Sequence, residues 1–109
     1  MKYIYVSGPY TQGDVAVNVR NAMLAGLTLM DMGYAVFIPH LTHWLHLIDP
    51  HEYEFWLDQD LAWLRKCDAV LRLPGCSPGA DDEVAFAEHR DIPVAHSVAE
   101  VQALFGPGG

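Results

Sequence analysis

The chain opens with MKYIYVSGPYTQGD, residues 1–14, and the reading of this stretch decides the fold. Lys2 to Ser7 is apolar and too short for a helix, which predicts a strand. Ser7-Gly8-Pro9-Tyr10-Thr11 then breaks it. Asp14 stands as an N-cap before Val15, Val19, Ala22, Met23, Gly26, Leu27 and Met30, which recur at helical spacing. Gly33 stops this helix as a C′ glycine. A strand feeding a helix needs only a turn and a cap. A serine, glycine, proline and tyrosine in succession exceed that need and nominate the loop as part of a site.

The same alternation continues outward. Tyr34 to Ile38 reads as a second strand ended by Pro39, and a histidine- and tryptophan-rich loop runs to about Pro50. A helix is predicted over 51–66, a strand over 68–73, a loop over 74–79 and a helix over 80–89. A strand over 92–95 and a short helix over 98–105 complete the pattern, and Gly106-Pro107-Gly108-Gly109 reads as a flexible tail. Alternating strands and helices imply parallel strands joined by right-handed crossovers, hence a small doubly wound α/β sheet. Ligands of such sheets bind beyond the carboxyl ends of the strands, at a topological switch point. That rule selects the loops at 7–13, 39–50 and 74–79.

With 109 residues, 51% of them hydrophobic, the chain reads as one domain over 1–105 with a small core. Fourteen acids against six bases give a net charge of −8, and the bases are scattered. A nucleic acid polymer or an anionic membrane surface would need a clustered positive face. Cys67 and Cys76 form no CxxC pattern and read as incidental thiols of a reducing compartment. The first residues do not resemble a signal peptide, and no run approaches the about 20 apolar residues of a membrane span. The expectation is a soluble cytoplasmic protein.

Two carboxylates depart from the expected pattern. In the helix over 51–66, Tyr53, Trp56, Leu57, Leu61 and Leu64 share one face, with Asp60 in its midst and Asp58 turned toward solvent. A carboxylate on a buried stripe is costly unless it is paired or faces a cavity, and burial raises its pKa as a general acid requires. Capping of a neighbouring loop is the other reading of Asp60. In the helix over 80–89, Asp81 and Asp82 complement the helix dipole. Glu83 flanks the buried stripe of Ala80, Val84 and Ala87, where an ionised carboxylate suits a nucleophile or only the dipole. Two carboxylates of opposite protonation in one cleft are the arrangement of glycosidic-bond chemistry.

His40, His43 and His46 stand three apart, with His51 beyond. A metal could use such spacing on a helical turn, but no recognised ligand pattern surrounds them, and they read, with Trp44, as lining a pocket or packing. No cofactor and no metal are implied. Neither GxxxxGK[ST] nor GxGxxG follows the first strand. Ser7 and Gly8 at the first helix, and Gly75, Ser77 and Gly79 at the helix over 80–89, remain candidates to hold an anion or a sugar hydroxyl.

Taken together, YVSGPYT at 5–11, Asp60 within LDQDLAWLRKCDAVL and GCSPGADDEVAFA around Glu83 resemble the nucleoside 2-deoxyribosyltransferase-like superfamily, which includes nucleoside 5′-monophosphate N-glycosidases. The likeness runs from Tyr3 to about Val94. It implies a flavodoxin-like or Rossmann-like three-layer α/β sandwich with a four- or five-stranded parallel sheet. It also implies that Glu83 is the nucleophile, that Tyr5 orients it and that Asp60 protonates the base. By the resemblance Ser7 and Gly8 fall where the family contacts its ligand and Ser77 where hydrolase members bind sugar or phosphate, with Asp68 structural and Arg20 and Arg72 the bases nearest a 5′-phosphate. Pro9, Tyr10, His40, Gly75 and Gly79, from the loops at the strand ends, complete the expected substrate-binding set, the loop from His40 to His51 having no counterpart in the family. The implied partners are a small nucleoside or nucleotide and further copies of the chain, as a homodimer or higher oligomer. The expected activity is cleavage or transfer at an N-glycosidic bond, hydrolysis slightly favoured. A non-catalytic nucleotide-binding module on the same fold is the alternative, and a metal-dependent enzyme using His40, His43 and His46 is a third reading.

Overall fold

The computed structural model describes residues 1–106. Its strands are β1 (Tyr3–Ser7), β2 (Ala35–Phe37), β3 (Ala69–Arg72) and β4 (Val94–Ala95). Its α-helices are α1 (Val15–Asp31), α2 (Thr42–Ile48), α3 (Tyr53–Leu64), α4 (Pro78–His89) and α5 (Val98–Phe105), with a 3-10 turn at Pro39–Leu41. All strand pairs are parallel, in the order β2-β1-β3-β4.

Alternation along β1 divides the core between the two faces of this sheet. Ile4 and Val6 pack with Ala22 and Leu29 of α1 and Val101 of α5. Tyr5 points the other way, into a cluster with Leu64 of α3, Val70 and Ala87 of α4. Helices therefore cover both faces, giving the three-layer α/β sandwich. No helix among the described residues is long and apolar enough to cross a membrane.

Local chemistry sets the boundaries. Asp14, Ser77 and Ser97 accept from the N–H groups of Val17, Ala80 and Glu100 at 3.2, 3.1 and 3.1 Å and so start α1, α4 and α5. α1 ends at Gly33, whose φ is 94°. The N–H of Gly33 donates to Met30 and that of Tyr34 to Leu29, which is a Schellman closure.

Several boundaries differ from expectation. The loop expected over 39–50 contains the 3-10 turn and α2. Pro39 initiates this segment rather than breaking it, because a first-turn proline lacks only an N–H that the helix does not need. α3 begins at Tyr53, two residues later than expected. On α1 the buried residues are Val19, Ala22, Gly26 and Leu29. Met23, Leu27 and Met30, expected to face the core, are 39, 54 and 43% exposed. Gly26 fixes this rotation, since a Cβ there would sit 2.4 Å from Cδ1 of Ile38. Tyr53, expected on the packed face of α3, is likewise exposed. Gly106 is held at the end of α5, its N–H donating to Gln102 and its carbonyl accepting from the Tyr34 hydroxyl. The remainder of the expected tail, 107–109, lies outside the described residues.

Candidate active site

The sheet order reverses at β1, which pairs with β2 on one side and β3 on the other. The switch point is thus the carboxyl end of β1 and β3, where Ser7 and Arg72 are register partners. Tyr5 and Ser7, two residues apart on one strand, direct their side chains to the same face, under α3 and α4. Glu83 comes down to them from the second turn of α4. The Tyr5 hydroxyl donates to Oε2 of Glu83, and the Ser7 hydroxyl donates to Oε1 at 2.8 Å. Each carboxylate oxygen therefore has its own hydroxyl donor. Tyr5 and Ser7 are fully buried and Glu83 is 7% exposed, so the clamp is shielded from competing water.

Burial pushes the Glu83 carboxyl above its ordinary value, while the Tyr5 and Ser7 hydrogen bonds and the charge of Arg72 pull it back in part. The sequence reading had this group simply ionised beside a helix N-terminus. The difference arises because Glu83 lies a turn inside α4, where desolvation outweighs the dipole. Asp60 on α3 faces the same region. Burial, and then the charge of Glu83, raise its carboxyl to about 8. One of its oxygens, Oδ1, is buried with no hydrogen-bond partner. At neutral pH the pair retains a proton, held predominantly on Asp60, and titrates as a coupled unit. Burial and the charges of Glu83 and Asp60 keep Tyr5 well above an ordinary phenol, so it stays protonated as a donor. Chemically this is a buried, clamped carboxylate beside a carboxylic acid.

The other expected residues divide between this pair and its frame. Gly8 and Gly75 lock two loops together. A Cβ on Gly8 would meet Leu73 Cβ at 2.9 Å, and one on Gly75, at φ 115°, would meet Pro9 Cγ at 2.8 Å. His40 is 5% exposed and its Nε2 lies 3.0 Å from the Pro9 carbonyl, so it pins the same loop. Burial lowers its pKa, leaving a neutral ring whose Nδ1 has no partner. The Tyr10 hydroxyl lies 2.6 Å from Nδ1 of His43 and ties the first loop to α2. His46 accepts from Trp56 Nε1 at 2.8 Å. The three histidines thus serve three different partners. No group of three or more His, Cys, Asp or Glu side chains among the described residues is placed to hold a metal. Ser77 caps α4, and Gly79 lies where a Cβ would sit 3.3 Å from the Tyr53 hydroxyl. Asp68, expected to be structural, accepts from the Tyr3 N–H at 2.8 Å.

Sequence reasoning did not place Tyr53 near the two carboxylates. Its hydroxyl titration feels Asp82, Glu83 and Asp60 behind the larger effect of burial, which places it at the rim of the pair. It also missed the stack of Tyr5, Phe37 and Trp63, with ring centroids 5.6 and 5.3 Å apart, that packs against Tyr5. The parallel register is what brings Tyr5 and Phe37 together, and no local pattern encodes it. Two open clefts lie at the loops after β1 and β3, and neither is lined by Glu83 or Asp60. One is lined by Pro9, Asn18, Asn21, Leu73 and Pro74, and the other by Arg72 to Gly75, Asp81, Val84 and His96.

With this geometry in view, the chain was compared with known proteins. A family model described as Domain of unknown function (DUF7768) matches residues 2–97. The chain belongs to that family. Comparison with curated proteins gives no match. Among solved structures, a 2-deoxyribosyltransferase from the psychrotolerant bacterium Bacillus psychrosaccharolyticus is similar. The two share 21% identity with a TM-score of 0.68, over 84% of this DUF7768 chain and 69% of the other. That likeness shows a common fold, in agreement with the parallel sheet and its flanking helices.

Proposed function

We propose that this DUF7768 protein cleaves or transfers the N-glycosidic bond of a nucleoside or nucleotide by double displacement. The observation that carries the reading is the pair itself: Glu83 with a hydroxyl on each oxygen, beside Asp60 raised to about 8. A Glu83 oxygen attacks C1′ of the sugar and the bond to the base nitrogen breaks. Its electrons go to the base, which takes the Asp60 proton as it leaves. A sugar ester on Glu83 remains. Water then attacks C1′ and loses its proton to Asp60, and Glu83 departs as carboxylate. A second base in place of water makes the reaction a transfer. Transfer would need a site kept dry until the acceptor arrives, and hydrolysis is the reading favoured slightly. The likeness to a 2-deoxyribosyltransferase supports the fold on which this chemistry would run.

The wild-type protein is expected to release free base from members of a nucleoside panel, read by chromatography, and Glu83→Gln to fall to background. Equal release by both proteins removes Glu83 as nucleophile. The alternative, a non-catalytic nucleotide-binding module, draws on the 7% exposure of Glu83. Ligand bound by the wild type with no base released decides for it. Assembly into a homo-oligomer belongs to the same proposal, and α2 offers Trp44, Leu45, Leu47 and Ile48, between 55 and 84% exposed, for a second copy to cover.

A further inference from the structure

The cations of this chain are sorted by the fold. Lys2 precedes β1 and lies over the Phe105 ring, with its Nζ 5.4 Å from the centroid. Arg65 and Lys66 fall between α3 and β3, and Arg90 falls between α4 and β4, over the Phe86 ring at 4.7 Å. These four therefore lie at the amino edge of a parallel sheet whose site is at the carboxyl edge. Arg20 projects from α1, on the opposite face of the sheet from Glu83. Arg72 is the cation that remains near the pair, and its charge acts on Glu83.

Arg72 is already engaged. Its guanidinium donates to the Leu73 carbonyl, to the Gly75 carbonyl at 3.0 Å and to Oδ1 of Asp81 at 3.2 Å. Three of its five N–H donors are used. The side chain is 11% exposed, while that of Asp81 is 72% exposed. An incoming anion would therefore meet Asp81 before it met the arginine.

The start of α4 offers an anion little more. Pro78 has no N–H, Ala80 donates to Ser77 Oγ and Asp81 donates to the Ser77 carbonyl, which leaves the N–H of Gly79. The surroundings are negative as well: Asp82, Glu83 and Glu54 act on the Tyr53 hydroxyl at the rim. A phosphate monoester carries close to two negative charges at neutral pH. It would enter this field with no free cation to receive it.

From this placement we infer that the site takes nucleosides without a 5′-phosphate and rejects their 5′-monophosphates, and that Asp81 sets this choice by holding Arg72 in an ion pair. The inference rests on the glycosidic reading of the site. It adds the substrate class and a specificity residue that touches neither Glu83 nor Asp60.

Binding of the four natural deoxynucleosides and their 5′-monophosphates to the Glu83→Gln protein tests it. Binding is measured by calorimetry at pH 8. At least one nucleoside should bind, with its 5′-monophosphate weaker by about tenfold or more, a difference of about 1.4 kcal/mol. Adding Asp81→Asn should narrow that gap by about tenfold through release of Arg72. Adding Asp82→Asn removes the same charge and leaves the Arg72 pair intact, so it should narrow the gap far less. A 5′-monophosphate that binds more tightly than its nucleoside overturns the inference while leaving the Glu83 chemistry standing. Equal effects of the two aspartate changes overturn the role of Asp81. Nucleoside binding without base release by the wild type instead sinks the glycosidic reading and keeps the ligand preference. Absence of any binding, with no release, overturns both.

Discussion

At the scale of single residues, the proposed chemistry requires two protonation states to coexist. Glu83 has to be ionised to attack, yet burial raises its carboxyl. Asp60 has to be protonated to assist the base, and it keeps its proton up to about 8. The rate should therefore fall on the acid side as Glu83 gains a proton and on the alkaline side as Asp60 loses one. The two apparent pKa values belong to the pair. Ser7 gives this profile a specific handle. Its hydroxyl favours the ionised form of Glu83, so Ser7→Ala should move the acid limb to higher pH and leave the alkaline limb in place. The rate at the optimum should drop about 10- to 100-fold, the size of a lost hydrogen bond to a charged group. Unchanged limbs with a reduced rate would mean that Ser7 only fills space. Asp60 and Glu83 stood out in the sequence because a carboxylate beside a buried stripe breaks a periodic pattern, and Tyr5 was added by the family resemblance alone. It placed Ser7 against the substrate. The Ser7 half of the clamp on Glu83 was not legible, since it joins residues 76 positions apart through the fold.

At the scale of elements, the frame of the site is two loops locked by glycines. The Gly75 φ of 115° and the 2.8 Å approach of its missing Cβ to Pro9 leave no room for a side chain. Gly75→Ala should destabilise the fold by about 1–3 kcal/mol, which for a domain of this size lowers Tm by about 4–8 °C per kcal/mol. Thermal unfolding checks this, and an unchanged Tm would show that the loops are not locked as described. α1 was legible because a cap and a glycine stop bracket it: Asp14 and Gly33 are local signals with local causes, and Ser77 and Ser97 offer α4 and α5 the same kind of cap, unread in the sequence. α2 was not legible. It has no side-chain N-cap and no buried residue, so neither of the usual helix signals marks it, and Pro39 reads equally as a break or a first turn. The rotation of α1 was hidden for a different reason: Met23, Leu27 and Met30 are as apolar as the residues actually buried.

At the scale of the whole molecule, the site is held at a cost to stability that depends on pH. Asp60 titrates near 3.9 in an unfolded chain and at about 8 in the folded one, so between those values the folded state binds more protons. Stability must then fall as pH rises through this window, with Glu83 acting in the same direction. Asp60→Asn removes the buried charge and should raise Tm at pH 9 while leaving it near wild type at pH 4. An equal shift at both pH values would mean that Asp60 is not raised. The exposed apolar side of α2 should be covered in solution, giving a mass by light scattering of at least two chains, and a monomer at micromolar concentration contradicts that. The central claim is the ester on Glu83, and intact-protein mass spectrometry during turnover of a nucleoside that releases base tests it most directly. The expected result is a species heavier than the free protein by the sugar residue, absent from Glu83→Gln. Base release with no such species in the wild type under rapid quench, or the same adduct in the variant, would contradict it.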